Sequence, residues 1–123
     1  MFPERIALLS VVVLGLIVPA RAASIRITID KLVFSPTMAL AKVGDTVEWI
    51  NKDALTHTAT AQNGNFDVTL PPSKTVSSVL KKAGTVDYYC RFHPNMKATL
   101  TIAPSRRKAQ CGFSRLNVSD CSS

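Results

Sequence analysis

The sequence predicts an all-β sandwich of about seven to eight short strands, and three observations predict it. Apolar and β-branched residues recur at every second position over short stretches. Turn residues separate those stretches at close spacing, as in sandwich folds. Beyond the apolar stretch near the start of the chain, no segment sustains the 3.6-residue period of an amphipathic helix.

In chain order, Ser24 to Ile29 alternates, with Ile25, Ile27 and Ile29 on one face of a half-buried strand. Lys31 to Phe34 continues extended until Ser35-Pro36 breaks it, and Met38 to Val43 is extended up to the Gly44-Asp45 turn. Thr46 to Ile50 places Val47 and Trp49 on one side and Thr46, Glu48 and Ile50 on the other. Thr56 to Ala61 is a short Thr/Ala strand, and Asn63-Gly64-Asn65 is a strong turn. Phe66 to Leu70, Thr75 to Leu80, Thr85 to Cys90 and Ala98 to Ile102 complete the set, separated by Pro71-Pro72, Lys81–Gly84 and the residues after Cys90.

The 123 residues allow one domain. Met1 to Arg5 is short and contains a basic residue, Ile6 to Val18 is uncharged and apolar apart from Ser10, and Ala20-Arg21-Ala22 is a small-x-small pattern. This order reads as an export signal spanning 1–22, with cleavage after Ala22. The apolar run is shorter than the roughly 20 residues that comfortably span a bilayer, which weighs against an uncleaved anchor. Residues 23–103 are then the folded domain, and 104–123 a polar, basic and flexible tail.

Residues 23–123 carry 13 basic and 7 acidic side chains, part of the excess lying in Arg106, Arg107, Lys108 and Arg115. The remainder is an ordinary, mildly basic surface that favours an acidic partner. No Lys/Arg stripe is interleaved with aromatics, so nucleic acid is not an expected partner. Stable membrane association after cleavage is not expected either, and the domain reads as a monomer.

Chemistry concentrates in one segment. Cys90-Arg91-Phe92-His93-Pro94-Asn95-Met96 holds a thiol, an imidazole and a thioether, and the second histidine of the chain is His57. Two imidazoles, a thiolate and a weak axial methionine are the ligand set of a blue-copper electron-transfer site. Soft thiolate and thioether suit Cu(I), while imidazole suits both oxidation states. Structural zinc prefers further Cys or His to methionine. A second copper centre, as in multicopper oxidases or copper nitrite reductases, needs histidines this chain lacks. With Cys90 engaged, Cys111 and Cys121 are left as a possible pair in an oxidising compartment, which the sequence does not decide.

The chain resembles the cupredoxins, or blue copper proteins, over roughly residues 25–102. Val43 to Asn51 followed by His57 is similar to the family's strand leading to its first histidine ligand. Gly84 to Met96 is similar to the strand and loop that supply the other three. Within this amicyanin-like/plastocyanin-like group the loop varies in length, and two residues between Cys90 and His93, then two between His93 and Met96, resemble the short version that amicyanins have, as does Trp49-Ile50-Asn51 ahead of the histidine.

The resemblance implies a Greek-key cupredoxin sandwich and one type 1 copper on His57, Cys90, His93 and Met96, with Asn51 bracing the two ligand loops by hydrogen bonding near the thiolate. It also implies a periplasmic carrier of single electrons, working by outer-sphere transfer between redox proteins such as a dehydrogenase and a c-type cytochrome, and not an enzyme. The competing functional class is copper delivery or sequestration, for which exposed Met/His clusters would be expected. A structural module without metal is disfavoured by the presence of all four ligands. The chain departs from the branch at Phe92 and Thr56, where proline is usual, and at Asn95, where an aromatic is usual. Arg91 adds a positive charge beside the site.

Overall fold

The computed structural model describes residues 13–17 and 21–105. The tail beyond Ser105, with Cys111 and Cys121, and most of the export segment lie outside the described residues. Those described hold nine strands and no helix. They are β1 (Ser24–Asp30), β2 (Val33–Ser35), β3 (Met38–Lys42), β4 (Thr46–Asn51), β5 (His57–Ala61), β6 (Asp67–Leu70), β7 (Thr75–Val79), β8 (Gly84–Tyr89) and β9 (Lys97–Ala103). They form two sheets, in the orders β2-β1-β4-β7 and β3-β9-β8-β5-β6. Two neighbouring pairs, β1 with β4 and β3 with β9, run parallel, and the other pairs are antiparallel.

Alternation placed the core faces correctly. Ile27, Ile29, Val47 and Trp49 are fully buried from the first sheet, and Ala59, Leu70, Tyr88 and Leu100 from the second. Thr46, Glu48 and Ile50 are half-buried on the other face of β4, as their period of two requires. Aromatic rings join the layers. Phe34 from β2 meets Tyr88 edge-on at 4.9 Å, and Trp49 meets the same ring at 5.4 Å.

One element differs from the expectation. The extended run through Lys31 to Phe34 is broken by a two-residue turn, and β2 folds back on β1 with Asp30 opposite Val33. Lys31 and Leu32 both have positive φ, 52° and 64°. This is the backbone of a tight hairpin turn, normally filled by Asn and Gly. The Asp53 carboxylate accepts the N–H groups of both residues, at 2.7 and 3.0 Å, and holds the turn from outside its own sequence.

The Tyr88 hydroxyl is buried without a hydrogen-bond partner among the described residues, and burial pushes its pKa up. An unsatisfied buried polar atom is destabilising. Tyr88→Phe is therefore expected to stabilise the metal-free domain by about 1 kcal/mol, read as a higher urea midpoint at unchanged slope. A lower midpoint would mean that the hydroxyl is hydrogen-bonded after all.

Candidate metal centre

All four predicted ligands lie at one end of the second sheet or in its connecting loop. His57 opens β5, Cys90 follows β8 directly, and Met96 immediately precedes β9. Tyr89 pairs with Lys97 across β8 and β9, and the ladder continues as Cys90 donates its N–H to the Met96 carbonyl at 3.1 Å. Met96 in turn donates to the His93 carbonyl at 2.9 Å. The short loop is thus closed at its base, which sets Cys90 and Met96 side by side and places His93 above them. His57, Cys90 and Met96 are buried, whereas His93 is half-exposed.

Cys90 Sγ lies 3.8 Å from His57 Nδ1 and 3.8 Å from His93 Nδ1. These three ligand atoms fall within 4.8 Å of one another. With metal bonds of about 2.05 Å to nitrogen and 2.3 Å to sulfur, a 3.8 Å separation subtends an angle of about 120°. Both Cys–His separations therefore suit the ligand angles of a His₂Cys copper site. The rings of the two histidines meet edge-on at 5.1 Å.

Residues the sequence reading passed over hold this geometry. His57 Nε2 lies 2.8 Å from Asp53 Oδ2. A carboxylate only accepts, so the imidazole proton sits on Nε2 and the Nδ1 lone pair faces Cys90. Burial works to raise the Asp53 pKa, but the N–H groups of Leu32 and Lys31, and then His57, outweigh it and hold the carboxyl below its ordinary value. A carboxylate shifted in that direction contributes at neutral pH and loses its contribution only in acid, as pH falls through the folded-state value.

Asp53→Asn leaves one oxygen where two now serve Lys31 N–H, Leu32 N–H and His57 Nε2, so either Lys31 or the pair of Leu32 and His57 faces an amide NH₂ instead of an acceptor. Copper affinity is expected to fall about 10- to 100-fold, measured by competition with a chelator. Unchanged affinity would show that Asp53 serves the turn alone.

Thr58 is the second such residue. Its backbone N–H points at Cys90 Sγ at 3.4 Å, and its Oγ1 accepts the Arg91 N–H at 2.9 Å. These two bonds tie the first ligand strand to the second ligand loop and give the Cys90 sulfur a backbone donor. Asn51 was expected in that place, and the structure puts its bonds elsewhere. Its Nδ2 donates to the carbonyls of Leu55, Leu70 and Pro71 at 2.8, 3.1 and 3.1 Å, while Oδ1 accepts the Asp53 N–H at 3.0 Å. It braces the segment before His57 against the end of β6, because it lies at the buried end of β4 facing that connection.

Arg91 does not leave a bare charge at the site, since its Nε pairs with Asp67 at 3.4 Å across exposed surface. Phe92, Leu32 and Leu55 are exposed on the three segments around the ligands.

The sequence matches the family of cupredoxin-like domains over residues 6–102. The chain belongs to that family. This cupredoxin is 32% identical over 89 residues to the methylamine utilization protein MauL of Methylorubrum extorquens, covering 69% of this chain and 78% of the relative. It is 33% identical over 89 residues to amicyanin-alpha of the same organism, covering 68% and 75%, and 29% identical over 85 residues to amicyanin of Paracoccus denitrificans, covering 64% and 65%.

Among solved structures it resembles the reduced state of an amicyanin in which a proline is replaced by phenylalanine, with a TM-score of 0.55, 30% identity, and 64% and 81% of the two chains covered. A purple cupredoxin from Nitrosopumilus maritimus superposes with a TM-score of 0.55 at 26% identity, over 64% of this chain and 99% of that one. Copper is accordingly the cofactor of this amicyanin-like cupredoxin, and His57, Cys90, His93 and Met96 form a chemically fitting site for one ion.

Proposed function

We propose that this cupredoxin is a periplasmic, diffusible, monomeric carrier of single electrons, in which His57, Cys90, His93 and Met96 would hold copper. The observation that carries the reading is the convergence of Cys90 Sγ with both Nδ1 atoms at 3.8 Å, at the end of a rigid sheet. Bound copper supplies a one-electron couple between Cu(I) and Cu(II). The protein supplies preset donors: the Asp53 bond orients His57, Thr58 N–H supports the thiolate, and the Cys90–Met96 bond closes the loop. Little has to rearrange as the charge at the site changes. No bond to a substrate is made or broken, so the protein is not an enzyme.

Of the two histidines, His57 is fully buried and His93 reaches the surface. His93 is therefore the port for outer-sphere transfer. Phe92 at 56% exposure and Leu55 at 52% provide apolar contact beside it. Exposed apolar residues grouped around a site mark partner contact more often than accident. Redox proteins, such as a dehydrogenase or a c-type cytochrome, are the partners this reading implies.

The test is optical. Copper-loaded protein should be intensely coloured as Cu(II), bleach on one-electron reduction and recover on reoxidation. A colourless complex that exchanges its copper rapidly would overturn the electron-carrier reading and favour delivery or sequestration.

A further inference from the structure

Far from the metal, the turn between β3 and β4 buries a carboxylate. Asp45 is 3% exposed and has no ionic partner among the described residues. Its Oδ2 accepts the Lys42 N–H at 2.9 Å and its Oδ1 accepts the Ala23 N–H at 3.0 Å. The same corner is cross-tied by Thr46 N–H to the Ala23 carbonyl at 3.0 Å and Leu80 N–H to the Asp45 carbonyl at 2.9 Å. Each carboxylate oxygen is thus met by one neutral backbone N–H and neither by a cation.

Ala23 is also the residue with which the chain begins once the export signal is removed after Ala22. Arg21, Ala22 and Ala23 are exposed and outside any strand. Cleavage adds water across the Ala22–Ala23 amide. The Ala22 carbonyl carbon takes the hydroxyl and departs as a carboxylic acid, ionised at neutral pH. The Ala23 nitrogen keeps the electron pair of the broken C–N bond and takes up protons to become an ammonium.

We propose that export processing completes the fold at this corner: cleavage creates an ion pair between the new α-ammonium of Ala23 and the buried carboxylate of Asp45, absent from the precursor. The neutral amide donor becomes a charged one in place. Charge-assisted hydrogen bonds are shorter and roughly twice as strong as neutral ones. The pairing is specific to this start. A start at Ala22 keeps a neutral amide at the carboxylate. A start at Ser24 removes the donor, because Ser24 is already held opposite Thr46 in the sheet.

The inference rests on the export reading, and the two parts are tested separately. The full chain is exported from a bacterial host, and the N-terminus of the copper-loaded product is sequenced. Ala23 is the expected first residue, and any other start overturns the proposal. The α-amine of that product is then acetylated under mildly acidic conditions that spare lysines. Acetylation should raise the unfolding equilibrium constant about tenfold in the wild type and less than about twofold in Asp45→Asn, since bonds to charged groups outweigh neutral ones.

Equal losses in both backgrounds overturn the ion pair while leaving export intact. A second measurement needs no variant. The α-amine of the folded wild-type product should react with a limiting acylating reagent about tenfold more slowly than in the urea-unfolded chain, as a pairing of that strength requires. Equal rates overturn the pairing.

Discussion

Cys90→Ser is expected to abolish the visible colour of the copper-loaded protein and to weaken Cu(I) binding by more than about a hundredfold, beyond the loss expected from a supporting residue alone. The serine hydroxyl fits the same space but stays protonated at neutral pH, whereas the ligand must be a thiolate. The soft donor that suits Cu(I) is therefore gone, and with it the thiolate-to-copper charge transfer that colours the oxidised site. The fold should persist, because Thr58 N–H can donate to the new oxygen and the Cys90 N–H to Met96 bond belongs to the backbone.

Absorption spectra, chelator competition and circular dichroism separate these effects. Cys111→Ser and Cys121→Ser serve as comparisons and should leave the colour intact, since Cys90 is the cysteine that converges with both histidines. A Cys90→Ser protein that remained blue would remove the central ligand from the proposal.

Trp49→Ala carries the largest expected cost in stability. The indole is fully buried on β4 and touches rings from the opposite layer, Tyr88 at 5.4 Å and Phe66 at 5.9 Å. Its Nε1 donates to Ser78 Oγ on β7 at 2.8 Å. Truncation of a buried Trp or Phe to Ala costs about 3–5 kcal/mol, against a total of about 5–15 kcal/mol for a whole domain.

The metal-free protein should melt on the order of 20 °C lower, by the usual scaling for a domain of this size. Measuring it without copper matters, because a ligand that binds the folded state masks part of the loss. Trp49→Phe keeps most of the ring volume but leaves Ser78 without its donor, and it should recover more than half the difference. A drop of only a few degrees in Trp49→Ala would show that the two layers do not depend on this contact.

The faces of the strands were legible because a period of two assigns each side chain to core or solvent without reference to any other segment. Val47 and Trp49 against Thr46, Glu48 and Ile50 is the clear case, and the burial of β4 follows it. The β1–β2 hairpin was not legible. Lys31-Leu32 carries none of the residues that tight turns favour, and what stabilises its positive φ values is Asp53, more than twenty residues later in the chain. Asn51 illustrates the same limit. Its position near the site could be read, yet its hydrogen bonds run to Leu70 and Pro71 rather than toward the sulfur. Thr58 lies beside a predicted ligand, but its importance rests on partners 32 and 33 residues away.

The sequence by itself determined the layered β architecture, the chemical character of the donors and the tight spacing of Cys90, His93 and Met96. Each of these is a property of residue type or of separations along a few bonds, so local rules suffice. Only the tertiary structure decided that His57 meets that loop with both Nδ1 atoms 3.8 Å from one sulfur, that Asp53 sets its tautomer, and that Ala23 reaches Asp45. Those outcomes depend on pairing between strands distant in sequence, where a register shift of one residue would turn each side chain to the opposite face.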